Sequence, residues 1–179
     1  MRKIIESSLA SADGVVGSPP LWAMDYRDEQ VTRDALERLS GSDAMLMGRG
    51  TYELFAATWP GQADDFAQRI NGIRKYVFSS TLENADWNNS TLIRADVVTA
   101  ATELKQEDGG DLMMYGYGRL SQTLLAHHLV DEIRFSVHPV LVGGGTAGGG
   151  NGKTLPLKLL GATPAPSGVV ALTYQPASS

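Results

Sequence analysis

The chain has 179 residues, 42% hydrophobic and 20% charged, which suffices for one sizeable core and predicts a single domain over residues 1–179. Its net charge of −5, with the cations scattered, argues against a nucleic-acid partner. The absence of cysteine excludes disulfides and thiol nucleophiles, and with only three histidines we expect no metal site. No apolar run approaches the roughly 20 residues of a membrane span, so a cytoplasmic protein without membrane contact is expected.

Hydrophobic periodicity alternates between strand-like and helix-like runs, which indicates an α/β protein. In the first half of the chain, strands are predicted over residues 3–9, 44–47 and 75–78. The predicted helices begin at Asp28, Thr51 and Asp96, whose side chains can cap free backbone amides. Phe66 and Ile70 indicate a further helical turn.

The second half begins with an apolar strand over residues 112–115 that runs into a glycine turn and a helix. That helix is predicted from apolar residues at helical spacing, namely Leu120, Leu124, Leu125 and Leu129. A long strand is predicted over 133–142, with an edge or a bulge at Pro139 because proline cannot donate a ladder hydrogen bond. Two short strands are predicted around 155–160 and 169–174.

Two glycine patterns imitate nucleotide-binding motifs without their structural setting. Residues 147–154 match a P-loop except for Ala147, and Gly143, Gly145 and Gly148 match G-x-G-x-x-G. Both motifs require a helix immediately afterwards, so that free amides face the phosphates. No helix pattern follows either one, so a surface loop is the favoured interpretation.

Three other junctions have the setting of an anion site. Residues 47–53 place Gly48, Arg49 and Thr51 at a helix start, residues 116–118 form a glycine turn between strand and helix, and residues 79–81 end a strand with three hydroxyls. Each is also compatible with ordinary turn chemistry. Together, at the carboxyl ends of strands, they predict contacts to one elongated polyanion.

In this order, Met-Gly-Arg-x-Thr-Tyr-Glu (47–53), Phe-Ser-Ser (78–80) and Gly-x-Gly-Arg-Leu (116–120) before a helix resemble the dihydrofolate reductase superfamily. Ser-x-Asp-Gly (11–14), residues 129–132 and residues 139–145 are more similar to its riboflavin-biosynthesis reductase branch. The resemblance implies a central, mostly parallel mixed sheet flanked by helices. It also implies a cytoplasmic, NADPH-dependent reductase that transfers hydride to a pterin-like or pyrimidine-like heterocycle.

By this resemblance the motifs acquire cofactor-binding roles. The residues implied at the phosphates are Gly48, Arg49 and Thr51, with Arg49 toward the 2′-phosphate; at the pyrophosphate, Gly116, Gly118, Arg119 and Leu120; at the adenosine end, Ser79 and Ser80; and at the nicotinamide, Leu9, Ala10, Val16 and Gly17. Tyr117 stands where dihydrofolate reductases have a second consecutive glycine, so its side chain must either point away or crowd the site. Tyr115 stands where the riboflavin-pathway enzymes have an acid.

The substrate side is less defined. Asp13 is the acid best placed by resemblance to orient or protonate a heterocycle, although Asp-Gly is also a common turn. Trp22 and Tyr52 are candidates to stack on a planar substrate, with burial as the alternative explanation. His127, His128 and His138 are interpreted as surface or cap residues. A non-catalytic nucleotide-binding module on the same fold remains the alternative function.

We also predict a homodimer. The strand over 133–142 places Val140, Leu141 and Val142 together, and no carboxylate follows Glu132. A monomer would leave part of this apolar surface exposed to solvent, and two-fold dimers are the commonest assembly that buries such a surface. Pairing is also common in the reductase branch that the chain resembles. The expected surface comprises this strand and the strand over 169–174.

Overall fold

The computed structural model describes residues 1–148 and 154–177 as one α/β fold. Its strands are β1 (Ile4–Ser11), β2 (Ser42–Gly48), β3 (Arg74–Phe78), β4 (Ser90–Ile93), β5 (Asp111–Tyr115), β6 (Glu132–His138), β7 (Leu157–Pro164) and β8 (Val170–Pro176). Its helices are α1 (Glu29–Ser40), α2 (Arg49–Thr58), α3 (Asp65–Gly72), α4 (Val97–Gln106) and α5 (Arg119–Ala126). Two short 3-10 turns, Pro19–Leu21 and Met24–Tyr26, precede α1.

The eight strands form one sheet in the order β4-β3-β2-β5-β1-β6-β8-β7. The six strands from β4 to β6 are mutually parallel, and β8 runs antiparallel to both of its neighbours. The predicted α/β class with a mostly parallel mixed sheet is therefore confirmed. The carboxyl ends of β1, β2, β3 and β5 meet at one edge, where open α/β sheets bind ligands.

Alternation of side chains divides the core between two faces of the sheet. On β2, Ala44 and Leu46 join the apolar cluster formed with α4 and α5, which we call the α5 face. Met45 and Met47 join the cluster formed with α1, α2 and α3, which we call the α1 face. Because both faces of β2 and β5 are covered, residues 44–47 and 112–114 are continuously apolar.

Local capping signals were read correctly at two helices and wrongly at one. Asp28 accepts the amide of Val31 at 2.7 Å, and Asp96 accepts the amide of Thr99 at 2.9 Å. Thr51, in contrast, does not cap α2, which begins at Arg49 with Gly48 as the N-cap. The Thr51 hydroxyl instead donates to the carbonyl of Tyr115 at 3.3 Å.

Three further element predictions are wrong. The strand predicted over 133–142 ends at His138, before Pro139, because proline cannot continue the ladder. It is also an interior strand, since β1 and β8 flank β6. Helix α5 ends at Ala126, so Leu129 lies outside it, after His128 at φ 55°. Strand β4 was not predicted.

Two findings concern the sequence expectations on motifs and membranes. Residues 149–153 of the P-loop-like stretch lie outside the described residues. Within the described ranges, no helix is long and apolar enough to cross a membrane.

Candidate active site

A gap opens beside β1 at the carboxyl edge of the sheet. Strand β1 pairs with β5 only as far as Ser7 opposite Tyr115, but it continues along β6 to Ser11 opposite His138. The amide of Gly116 donates to the carbonyl of Ser7 at 3.2 Å, and Gly116 then turns the chain away at φ 85°. At Ser11 the amide donates to the carbonyl of Val15 at 2.9 Å, so the open side of β1 lies at Leu9, between Ser7 and Ser11.

The backbone of Leu9 faces this gap. The carbonyls of Lys3 and Ser7 both accept amides from the β5 side, at 2.8 and 3.2 Å. Backbone direction in a strand alternates with a period of two, so the amide and carbonyl of Leu9 point to the same side as those of Ser7. Beyond the end of β5 they meet the gap, which thus offers one donor and one acceptor to a ligand amide.

The other wall of the gap is the loop after β1. The amides of Val16 and Gly17 donate to the carbonyl of Thr146 at 2.8 and 3.2 Å. A Cβ on Gly17 would lie 3.1 Å from the Cβ of Thr146, so the close approach favours glycine. The indole N–H of Trp22 donates to the carbonyl of Gly17 at 2.9 Å. Of the two predicted border residues, Gly17 is thus held by both Thr146 and Trp22, and Val16 by Thr146.

His138 was wrongly interpreted as a surface or cap residue. The residue is only 2% exposed, and its ring meets the rings of Trp22 and Tyr26 edge-on at centroid distances of 5.5 and 6.1 Å. Nδ1 lies 2.9 Å from the carbonyl of Ser136. Burial lowers the pKa of His138 and so favours the neutral ring, partly offset by backbone hydrogen bonds to Ser136 and Ala10. His127 and His128 are exposed, as expected.

The three predicted anion junctions come together at this edge. A Cβ on Gly48 would lie 3.7 Å from the Cβ of Leu120, and one on Gly116 would lie 3.5 Å from the hydroxyl of Thr51. Arg49 donates through Nη1 to the hydroxyl of Thr81 at 2.9 Å and through Nε to Glu53 at 2.7 Å. These contacts join the turns after β2, β3 and β5 into one continuous polar strip.

The strip contains free backbone amides. In α5 the first helical hydrogen bond runs from Gln122 to the carbonyl of Gly118, at 3.0 Å. The amides of Arg119, Leu120 and Ser121 consequently have no partner within the helix, and the N-cap supplies no side-chain acceptor. Helix α2 likewise lacks a side-chain cap. Two uncapped helix starts side by side favour negative charge at this edge.

Two neighbours of the strip have their own local roles. The hydroxyl of Ser79 accepts the amides of Thr81 and Leu82 at 3.2 and 3.0 Å, which shapes the turn after β3, while Ser80 is exposed. Tyr117 packs against the apolar cluster of the α5 face, so its side chain points away from the strip.

Asp13 holds two loops together. Its carboxylate accepts the hydroxyl of Ser11 at 2.6 Å and the amides of Val142 and Gly143 at 3.1 and 2.8 Å. These bonds, led by that from Ser11, lower the pKa of Asp13 to about 2. The carboxylate is therefore ionised at neutral pH, where it can orient a neighbouring group but has no proton to donate.

Tyr52 and Trp22 are not brought together. Tyr52 is only 5% exposed, and its hydroxyl accepts the amide of Trp87 at 2.9 Å beside β3. Trp22 contacts His138 on β6, and β5 and β1 separate β6 from β2, the strand nearest α2. A single planar ring cannot stack on both.

The α1 face contains a cleft at the amino ends of β2, β5 and β6, on the edge of the sheet opposite to the gap. Its volume is about 380 Å³, and its lining includes Ile5, Arg38, Glu132, Arg134 and Thr173. The Nε of Arg134 donates to Glu132 at 2.5 Å. Burial raises the pKa of Tyr115 to about 12, opposed by the charges of Arg38 and Arg134. No group of metal-binding side chains occurs within the described residues.

Several solved structures share this fold. Solved structures with a similar fold include a provisionally named riboflavin biosynthesis protein from Shewanella sp. PV-4 (TM-score 0.73, 19% identity, 98% of this chain and 99% of that chain). A pyrimidine reductase-like protein from Corynebacterium diphtheriae (TM-score 0.70, 11% identity) covers 99% of this chain and 93% of its own. RibD from Acinetobacter baumannii (TM-score 0.69, 15% identity) matches 99% of this chain with 59% of its own.

Sequence comparison identifies one relative and one protein family. YyaP of Bacillus subtilis (strain 168), an uncharacterized protein, is 32% identical over 112 residues, which are 60% of this chain. This chain spans 59% of the length of that relative. The family model described as the RibD C-terminal domain matches residues 2–171. Because that match covers almost the whole described fold, the chain belongs to the RibD C-terminal domain family.

Proposed function

We propose that the protein is an NADPH-dependent reductase that transfers hydride to a pterin-like or pyrimidine-like heterocycle. The observation that carries this proposal is the junction of the polar strip with the gap beside β1. The strip suits an extended chain of phosphates, and the gap presents the free amide and carbonyl of Leu9 to a carboxamide. A nicotinamide dinucleotide has both groups in one molecule.

The residues would divide the dinucleotide between them. Gly48, Arg49 and Thr51 would hold phosphates, with Arg49 toward the 2′-phosphate; Gly116, Gly118, Arg119 and Leu120 would hold the pyrophosphate; Ser79 and Ser80 would border the adenosine; and Leu9, Ala10, Val16 and Gly17 would border the nicotinamide. When bound, the cofactor supplies hydride from its nicotinamide ring. The protein's own task is to bind both rings, align them and exclude water.

The heterocycle would lie beside the proposed nicotinamide border, on the side of the loop after β1. Asp13 would orient the substrate end through the loops that it joins. Trp22 would border the nicotinamide end, and Tyr52 would contribute through the packing of α2.

A non-catalytic nucleotide-binding module is the second candidate. It is favoured by one observation: the only carboxylate predicted for the substrate, that of Asp13, is fully engaged by Ser11 and two backbone amides. An assay that monitors the oxidation of NADPH by its absorbance, in the presence of a panel of oxidised pterins and pyrimidines, distinguishes the reductase from the module. Binding without turnover on any of them would favour the module.

Arg49 provides the test of cofactor binding. Arg49→Ala should weaken the binding of NADPH much more than that of NADH, which lacks the 2′-phosphate. A hydrogen bond to a charged group contributes roughly 1.5 to 3 kcal/mol. Dissociation constants are measured by the change in protein fluorescence. Glu53→Gln serves as the matched control, since it removes the partner of Arg49 and keeps the cation. Equal weakening of NADPH and NADH by Arg49→Ala would separate Arg49 from the 2′-phosphate.

We also propose a homodimer and a cytoplasmic location. Every residue of β7 is exposed, and Leu157, Leu159 and Leu160 are 37%, 53% and 51% exposed. Leu159 lies opposite Tyr174 on β8, which lies opposite Ile133 on β6, so this apolar band continues the α5 face. A second copy can cover it by two-fold pairing. The absence of cysteine suits a reducing compartment.

A further inference from the structure

Glu6 is a buried carboxyl group that the proposed reaction does not use. It lies on β1 on the α5 face and is 0% exposed, opposite Met114 on β5 and Ile133 on β6. The hydroxyl of Ser8 donates to Oε1. Among the described residues, Oε2 has no hydrogen-bond partner. Such a group is costly to ionise where it stands.

Its position places it beside the turn proposed for the pyrophosphate. Met114, its neighbour in register, precedes Gly116 by two residues, and the turn residue Tyr117 packs on the same face. Burial and the charge of Glu6 both raise the pKa of Tyr117, so the field of the carboxylate reaches the turn.

Within residues 1–148 and 154–177, no basic side chain compensates Glu6. The groups that face it are Ser8 on β1, Met114 on β5, Ile133 on β6 and Tyr117 in the turn. On the same side of the sheet, α5 contributes the buried hydroxyl of Ser121, which has no partner among the described residues. An ionised Glu6 would therefore be an unpaired negative charge in a medium of low dielectric constant, which transmits its field strongly.

We propose that the protonation state of Glu6 sets the affinity of the adjacent turn for the dinucleotide pyrophosphate. This inference rests on the proposed cofactor site. The pyrophosphate brings two negative charges to the turn and to the start of α5, and like charges disfavour ionisation of Glu6. Glu6 is thus a positioning residue that keeps the turn receptive to anions while it is neutral.

The direction of the pH dependence follows from linkage. Burial, opposed by the bond from Ser8, raises the pKa of Glu6 from 4.5 to about 7. A bound dinucleotide raises it further, so binding takes up a proton when the pH is above about 7. Affinity is therefore highest when Glu6 is protonated, and it falls as the pH rises through that value.

The test compares dinucleotide dissociation constants from pH 6 to 8.5 in wild type, Glu6→Gln and Glu29→Gln, whose glutamate is exposed. The 2′-phosphate of NADPH also titrates, but it affects all three proteins equally, and NADH lacks it. Between pH 6 and 8.5, the affinity of the wild type for the dinucleotide should fall about fivefold or more relative to that of Glu6→Gln. A change of this size is within the usual range of coupling between sites. Glu29→Gln should follow the wild type.

Thermal unfolding of the ligand-free proteins from pH 4.5 to 8.5 provides a second readout. The stability that Glu6 contributes is fully present below pH 4.5 and is lost as the pH rises to about 7, so Glu6→Gln should flatten that decline. Ser8→Ala removes the bond that favours the carboxylate, and it should move the pH midpoint of NADPH binding upward. This variant keeps the test available if Glu6→Gln does not fold.

The outcomes separate the two proposals. Parallel pH curves for wild type and Glu6→Gln, with both proteins binding NADPH, would overturn the role of Glu6 and leave the cofactor site standing. Failure of the wild type to bind NADPH or NADH at every pH would overturn the cofactor site, and the role of Glu6 with it.

Discussion

Trp22 connects a side chain to the backbone of the proposed nicotinamide border. Its indole N–H holds the carbonyl of Gly17, and its ring edge meets the buried ring of His138. An aromatic ring in this position can stabilise the loop without touching the adenosine half of a dinucleotide. The effect of Trp22 should therefore be confined to one end of the cofactor.

Trp22→Phe should weaken the binding of NADPH by about twofold to tenfold, because it removes one neutral hydrogen bond that contributes about 0.5 to 1.5 kcal/mol. It should leave 2′,5′-ADP, which lacks the nicotinamide, unchanged. Both dissociation constants can be measured by isothermal calorimetry. Trp59→Phe is the control, since Trp59 packs between Phe55 and Phe66. A parallel loss for 2′,5′-ADP would contradict the assignment.

Individual residues were predictable where their partners lie close in the sequence. Asp28 and Asp96 cap amides three residues away, and this spacing is visible in the sequence. His138 and Trp22 are far apart in the chain, so nothing local indicates that each buries the other. Tyr52 was assigned to the substrate because an aromatic side chain gives no sign of which partner it will meet.

At the scale of elements, the loop after β1 is joined to the segment that follows β6. The amide of Ala12 donates to Val140, that of Val16 donates to Thr146, and that of Gly148 donates to Gly14, at 2.9, 2.8 and 2.8 Å. Asp13 closes this contact through Val142 and Gly143. The border of the proposed nicotinamide site thus depends on chain from the other end of the fold.

Asp13→Asn should open this contact locally. An amide group cannot accept from all three donors without presenting its own N–H groups to one of them. Hydrogen exchange at Val142 and Gly143 should accelerate, while the remaining core amides keep their protection. If Asp13 acts on the substrate, turnover should fall while the affinity for NADPH changes by no more than about twofold. Asp25→Asn, at an exposed position in the preceding turn, is the control.

The same contact has a defined acid limit. The pKa of Asp13 is lowered from 3.8 to about 2, so its stabilising effect is present above pH 3.8 and is lost as the pH falls to about 2. Exchange at Val142 and Gly143 should approach that of Asp13→Asn over this interval. Retained protection at pH 2 would contradict the role of the carboxylate.

The predicted elements differ in how much of their signal is local. Strand β5 and helix α5 were recognised because an apolar run, a glycine turn and an amphipathic run follow one another. Strand β4 was missed because it has only four residues and none of them is fully buried. The three anion junctions were predicted because each is a short strand end, whereas their mutual contacts depend on the strand order.

At the scale of the whole molecule, the predicted dimer surface needs relocation. The strands over 133–142 and 169–174 were expected to provide it, but β6 and β8 are both interior, and the exposed band lies on β7, which forms a hairpin with β8. Leu141 is 76% exposed, yet it lies in the chain beyond β6 rather than on the hairpin. Substitutions at Leu141 and at Leu159 therefore distinguish a dimer formed through the segment after β6 from one formed through the hairpin.

Light scattering at micromolar concentration should return about twice the monomer mass of 19.1 kDa for the wild type. Leu159→Asp should return the monomer mass, because it would bury a charge in the apolar band. Leu141→Asp should remain dimeric. A monomeric wild type would refute the dimer, and a dimeric Leu159→Asp protein would refute the hairpin surface.

Strand β8 follows β7 in the chain, yet it lies between β6 and β7 in the sheet. During synthesis, β7 therefore emerges before it has any partner, and the outer edge of β6 stays unpaired until residues 170–176 have left the ribosome. Parallel strands from β4 to β6 can already be assembled by then. The nascent chain thus passes through a stage with an open, apolar strand edge, the feature on which two unfinished copies are most prone to join wrongly.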